Sequence, residues 1–150
     1  KAKNAAAQII ENLPKTETVG EGDRAAYLSG IERMKGLGFG LTPGGDDFIA
    51  GLLYALHLAE TIDGDDRSAI RSETAARARS ANPLSAAFLG LARDGFFFES
   101  LRDLAVALAG PSPDPVESSA HRLLERGQTS GADLAAGFFL TLTSALAELT

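Results

Sequence analysis

The 150-residue chain has no cysteine, which excludes disulfide staples, thiolate metal sites and cysteine nucleophiles and fits a reducing compartment. No stretch approaches the roughly 20 apolar residues that a membrane-spanning helix needs. No positively charged start leads into an apolar run, so neither a membrane partner nor a secretory leader is expected and the cytoplasm is the expected location. Basic charge is also short: 14 Lys and Arg face 20 Asp and Glu, a net charge of −6. Nucleic-acid binding draws its affinity from clustered cations that release counterions, so nucleic acid is not an expected partner. The basic residues do collect before two glycine-rich segments, Arg33 and Lys35 ahead of one and Arg122 and Arg126 ahead of the other. That placement suits a small anionic substrate.

Strand-like alternation is equally scarce. Apolar residues recur at helical spacing almost throughout, which predicts an all-α fold, and a domain of this length can remove about 70% of its unfolded surface from water. The expected helices span approximately 2–13, 23–35, 47–61, 66–80, 83–94, 97–109, 115–126 and 133–149, with ends uncertain by ~2–4 residues. The linkers are short enough for neighbouring helices to pack antiparallel in one compact domain. Helices 47–61 and 133–149 are apolar beyond one stripe and should be central. Arg67, Arg71, Glu73, Arg77 and Arg79, scattered among alanines, read as a solvated face. Because the first residue is Lys1 rather than Met, residues 1–150 read as a single helical domain that is a fragment or a processed product, with something missing upstream.

One pattern occurs twice. Gly40-Leu41-Thr42-Pro43-Gly44-Gly45-Asp46 and Gly127-Gln128-Thr129-Ser130-Gly131-Ala132-Asp133 both read Gly-x-Thr-x-Gly-x-Asp, and Ala50-Gly51 or Ala136-Gly137 follows each. The threonines, 42 and 129, are 87 positions apart, and aligning Asp46 with Asp133 leaves one extra residue before Ala-Gly in the first copy. Each copy closes a loop and opens a central helix, so the duplication predicts two central helices related by an internal pseudo-repeat.

Two readings of these turns are open. In one, Asp46 or Asp47 and Asp133 are N-caps, the threonines brace the loop and the glycines supply positive φ. In the other, free helix-start amides, threonine hydroxyls and the helix dipole bind an anion, with glycine clearing the approach. Two copies favour the second, as facing half-sites for one ligand, with the Ala-Gly pairs letting the helices pack closely. Of the adjacent carboxylates Asp46 and Asp47, one could cap while the other orients an amide, serves as a base or holds a divalent metal through water. No second acidic cluster supports a metal, and neither metal nor cofactor is expected. Gly36-Leu37-Gly38-Phe39-Gly40 lacks the strand–turn–helix setting of a dinucleotide site. No nucleophile elbow supports a hydrolase. His57 reads as a core histidine, His121 as partly exposed, and Phe96-Phe97-Phe98 as a core or subunit contact.

The run Gly36-Leu37-Gly38-Phe39-Gly40-Leu41-Thr42-Pro43-Gly44-Gly45-Asp46-Asp47-Phe48, with Gln128-Thr129-Ser130-Gly131-Ala132-Asp133, resembles the AllH-like family, which includes the AllH subunit of oxamate carbamoyltransferase in anaerobic allantoin breakdown. The resemblance runs from about Gly30 onward, with weaker agreement at Ser85, Leu89, Ala92, Gly95 and Glu99. This chain has Phe39 where the family usually has Pro and Gly44 where it usually has Ser. Members carry an upstream strand-containing region that these 150 residues lack, so the resemblance implies that residues 1–150 are the C-terminal part of a longer family protein. The resemblance implies carbamoyl transfer between oxalurate with phosphate and oxamate with carbamoyl phosphate, in purine catabolism, alongside AllF-like and AllG-like subunits. A homo-oligomer and a non-catalytic binding or assembly subunit are the alternatives. It implies Asp46 and Asp47 as catalytic residues. Thr42, Gly44 and Gly45 would hold one anionic group and Thr129, Ser130 and Gly131 the other, with Gly38, Gly40 and Asp133 completing the substrate-binding set.

Overall fold

The computed structural model describes residues 1–14 and 20–147. Among them are eight α-helices and no strand: α1 (Ala2–Glu11), α2 (Glu21–Met34), α3 (Gly44–Asp63), α4 (Ser68–Arg77), α5 (Pro83–Arg93), α6 (Glu99–Ala109), α7 (Asp114–Leu124) and α8 (Ser130–Ala145). The fold is all-helical, as the periodicity predicts. The last two positions of the expected helix 133–149 lie outside the described residues.

Helix α3 is the axis. Every residue from Gly45 to Leu56 is buried, and Ile49, Leu52, Leu53, Ala55 and Leu56 are wholly shielded from solvent. Each fully buried Leu or Ile contributes about 1.5–3 kcal/mol relative to an exposed one, so this helix anchors the core from all sides. Helix α8 packs along it in the same direction, and two glycines set the separation. A Cβ on Gly51 would lie 2.1 Å from the Leu134 carbonyl oxygen, and one on Gly137 would lie 2.0 Å from that of Phe48. The Ala-Gly pairs are therefore close-packing positions, as expected. Helix α8 is less central than α3, for Leu140 is 48% exposed and its outer face meets solvent.

The remaining helices surround this pair. Helices α1 and α2 meet where Gly30 lies against Ile9, α6 pairs with α7, and α5 lies against α3. Helix α3 ends at Gly64 in the left-handed conformation (φ 81), whose N–H donates to the Glu60 carbonyl, satisfying one of the last free carbonyls. Of the charged residues expected on a solvated face, Arg77 and Arg79 are exposed and Glu73 is partly so, but the expectation is corrected for Arg67 and Arg71. Arg67 is 3% exposed and grips Asp63 through two bonds of 2.7 and 2.6 Å. Arg71, also buried, donates to Glu60 and to the Arg93 carbonyl. The guanidinium groups clamp α4 to the end of α3 and to α5, and the carboxylates that compensate them lie on the preceding helix.

Candidate functional site

Both central helices begin earlier than the sequence suggests, and this corrects the capping reading. Helix α3 starts at Gly44 and α8 at Ser130, so Pro43 and Thr129 hold the N-cap positions, neither with a side-chain capping bond. Asp46, Asp47 and Asp133 lie inside the first turn, where a carboxylate meets the positive end of the helix dipole. Positive φ belongs to Gly36, Gly38, Gly40 and Gly127, not to Gly44, Gly45 or Gly131.

Those last glycines are required by close approach. A Cβ on Gly45 would lie 2.0 Å from the Met34 carbonyl oxygen, and one on Gly131 would lie 1.9 Å from that of Leu123. The Gly45 amide donates to the Leu37 carbonyl at 2.8 Å, and the Gly131 amide to the Arg126 carbonyl at 3.0 Å. Each central helix is thus locked onto the end of the helix before it by equivalent contacts. These contacts, together with Gly51 and Gly137, match Asp47 rather than Asp46 to Asp133, and place the extra residues of the first copy in its loop. In the two first turns the amides of Gly45, Asp46, Asp47, Gly131 and Asp133 are already used, so the free helix-start donors among the described residues are those of Gly44, Ser130 and Ala132.

The helix starts converge. Thr42 Oγ1 donates to Asp47 Oδ2 at 3.0 Å and lies 3.4 Å from Ser130 Oγ, joining the first loop to α8. A cleft of about 380 Å3 opens here, lined by Phe39, Gly40, Leu41, Thr42, Asp47, Leu84, Phe88, Phe98, Leu134 and the run from Arg126 to Ser130. The Arg126 guanidinium lies 4.1 Å above the Phe98 ring centroid, a cation–π arrangement. Asn82 builds the facing wall: its Oδ1 accepts from the Leu84 and Ser85 amides and caps α5, while its Nδ2 donates to the Leu41 carbonyl at 2.7 Å.

Asp47 is 8% exposed. Burial raises its carboxyl above the usual carboxylate range, the hydroxyls of Ser130 and Thr42 oppose the rise, and the negative charges of Asp133 and Asp46 add to it. Asp46, 2% exposed, turns the other way. Its Oδ1 accepts from the Gly36 amide at 2.7 Å, its Oδ2 has no partner among the described residues, and it lines neither this cleft nor a second one.

That second cleft, about 370 Å3, shares Phe39 and Thr129 with the first and is lined also by Lys3, Gly38, Gly44, Gly45 and Asp133 among others. The Asp133 carboxylate faces Gly44, where a Cβ would lie 2.5 Å from Oδ2. The expected site residues therefore divide: Gly40, Thr42, Asp47, Thr129 and Ser130 face the first cleft and Gly38, Gly44, Gly45, Thr129 and Asp133 the second, while Gly131 is covered by the Leu123 carbonyl. Phe98 and Arg126 complete the first cleft, and sequence reasoning placed neither there. The basic residue before the glycine loop was a signal for Arg126, but its aromatic support lies 28 positions upstream on another element. Elsewhere, His57 packs against Gly95 and Phe97 with its Nδ1 unpartnered among the described residues. His121 is exposed 4.0 Å from Glu117. Phe97 and Phe98 join the Tyr54 cluster, which leaves Phe96 in solvent.

An all-helical domain whose two central helices start side by side around a hydroxyl-clasped carboxylate is the class of protein that this fold and site define. The family model described as "Oxamate carbamoyltransferase subunit AllH" matches residues 34–142, from the end of α2 through both glycine-rich segments. The chain belongs to that family, whose name is that of one subunit of a larger enzyme. No curated protein and no solved structure matches it. No helix among the described residues is long and apolar enough to cross a membrane.

Proposed function

We propose that the chain is a subunit of an oxamate carbamoyltransferase and that the cleft at the paired helix starts binds its small anionic substrate. In the direction of oxalurate breakdown, the C–N bond between the carbamoyl carbon and the oxamate nitrogen breaks. A C–O bond to phosphate forms, and the phosphate proton ends on that nitrogen, giving oxamate and carbamoyl phosphate. In reverse, the amide nitrogen of oxamate attacks the carbamoyl carbon and sheds a proton as phosphate leaves. An amide nitrogen is a poor nucleophile, so the step calls for a positioned base with a pKa close to working pH. Asp47 is placed for that role: it is buried, its carboxyl is raised, and it is held by Thr42 on the wall of the cleft. That observation carries the reading. The free Ser130 amide and the Thr129 hydroxyl supply donors for a tetrahedral oxyanion, while the Thr42 hydroxyl is committed to Asp47. Asp46 then serves the loop rather than the chemistry, and AllF-like and AllG-like subunits complete the enzyme.

Phe39 is 100% exposed and Leu41 83% exposed at the rim of the cleft. That exposure favours a second reading, a non-catalytic binding or assembly subunit. Asp47→Asn in the intact complex separates the two. A catalytic Asp47 predicts turnover lower by about 10²–10⁴ with an unchanged far-ultraviolet circular dichroism spectrum; full turnover leaves only the assembly reading. Calorimetric titration of oxamate and oxalurate into a Thr42→Ala, Thr129→Ala double variant adds a check, since undiminished affinity rejects the cleft as the binding site.

A further inference from the structure

Arg126 is set apart by its aromatic support. Arg24, Arg67, Arg71 and Arg93 each have a carboxylate within 3 Å, whereas Arg126, exposed like Arg33 and Arg79 and like them in no ion pair among the described residues, rests on the Phe98 ring. A guanidinium held over a ring with no carboxylate on it can offer its N–H fork to a carboxylate through two parallel bonds. It lines the same cleft as Asp47, yet these opposite charges do not meet. A cation, a hydrogen-bond acceptor and the apolar side chains of Leu84, Phe88 and Phe98 on one cleft lining suit a small molecule with an anionic end and an N–H end. The unpaired Ser130 amide at the start of α8 adds positive potential beside Arg126.

We propose that Arg126 and Asp47 read the two ends of one planar acid amide, Arg126 taking the carboxylate and Asp47 the amide N–H, so that the cleft selects an acid amide over the corresponding diamide. This inference rests on the reading of the cleft as the substrate site and adds to it a specificity residue, Arg126, and an orientation. A carboxylate is favoured over a phosphate because the stacked guanidinium and the aromatic walls suit a planar group.

The test is calorimetric titration of the intact complex with oxamate, oxamide, maleamate, maleamide and inorganic phosphate, for wild type, Arg126→Gln, Arg126→Lys and Asp47→Asn, with thermal melts to confirm folding. Wild type should prefer oxamate to oxamide by about tenfold or more, the range of a charge-assisted hydrogen bond. Arg126→Gln should erase that preference while keeping the affinity for oxamide, Arg126→Lys should restore part of it, and Asp47→Asn should weaken acid amide and diamide alike. A preference that survives Arg126→Gln overturns the proposal, as does phosphate competing with oxamate through Arg126. The two readings fail differently. If oxamate and oxalurate do not bind but maleamate shows an Arg126-dependent preference over maleamide, the recognition stands and carbamoyl transfer falls. If Arg126→Gln turns over oxalurate with wild-type kcat and KM, carbamoyl transfer stands and the recognition falls.

Discussion

Asp46 and Asp47 are neighbours in sequence and opposites in role, because successive residues of a helix point about 100° apart. Asp47 faces the cleft, and its carboxyl lies above the ordinary value of 3.8 through burial. The native state therefore holds that proton more readily than the unfolded chain does. The resulting contribution to stability is complete below pH 3.8 and is lost as pH rises through the higher native value. Asp47→Asn, which cannot ionise, should raise Tm relative to wild type at pH 7, and the gain should vanish in acid. Calorimetric melts from pH 3 to 8 check this, and a gain that does not depend on pH refutes it. Asp46→Ala should act in the opposite direction: it removes the bond that the Gly36 amide donates to Oδ1, which costs about 0.5–1.5 kcal/mol, measurable by urea denaturation. The sequence shows that the pair matters but not which member faces the ligand, since that depends on where the helix begins.

That starting point is a matter of elements. Gly44 and Gly45 read as loop because glycine is a poor helix former, by about 1 kcal/mol against alanine. The structure nevertheless runs the helix through them, since only a residue without Cβ can sit under the Met34 carbonyl. The core helices were legible from their apolar residues, and the Ala-Gly pairs from their repetition. The arginine clamp of α4 was not, because Arg67 and Arg71 are compensated by Glu60 and Asp63 across a turn, and burial of a charge depends on that partner. Arg67→Ala would leave Asp63 buried without its partner and should cost about 3–5 kcal/mol. The α3–α8 contact gives a sharper test, because glycine-to-alanine changes in helices ordinarily stabilise. Gly90→Ala, whose Cβ would meet nothing within 4 Å, should gain about 0.5–1 kcal/mol. Gly51→Ala and Gly137→Ala drive a methyl into a facing carbonyl and should lose about 1–3 kcal/mol. Equal effects at all three positions in urea titrations would mean that the two central helices are not held at this separation.

For the molecule as a whole, this packing puts every strong determinant of the core on one side of a division and the segment from Gly36 to Thr42 on the other. The segment takes positive φ at Gly36, Gly38 and Gly40, is tied down at Asn82, and holds Phe39 and Leu41 almost entirely in water. A chain that buries Leu52, Leu53 and Leu56 completely has no folding reason to hold two large apolar side chains in solvent beside the cleft at the helix starts. The chain belongs to a family named for one subunit of a larger enzyme, which makes coverage of these side chains by a partner subunit a testable expectation. A Phe39→Ser, Leu41→Ser double variant should then keep its unfolding free energy within about 0.5 kcal/mol of wild type, as surface substitutions do. It should also lose co-elution with the partner subunits on size-exclusion chromatography. A variant that assembles normally would make these side chains a wall of the cleft alone, and a variant that unfolds would mean that the segment packs against its own chain.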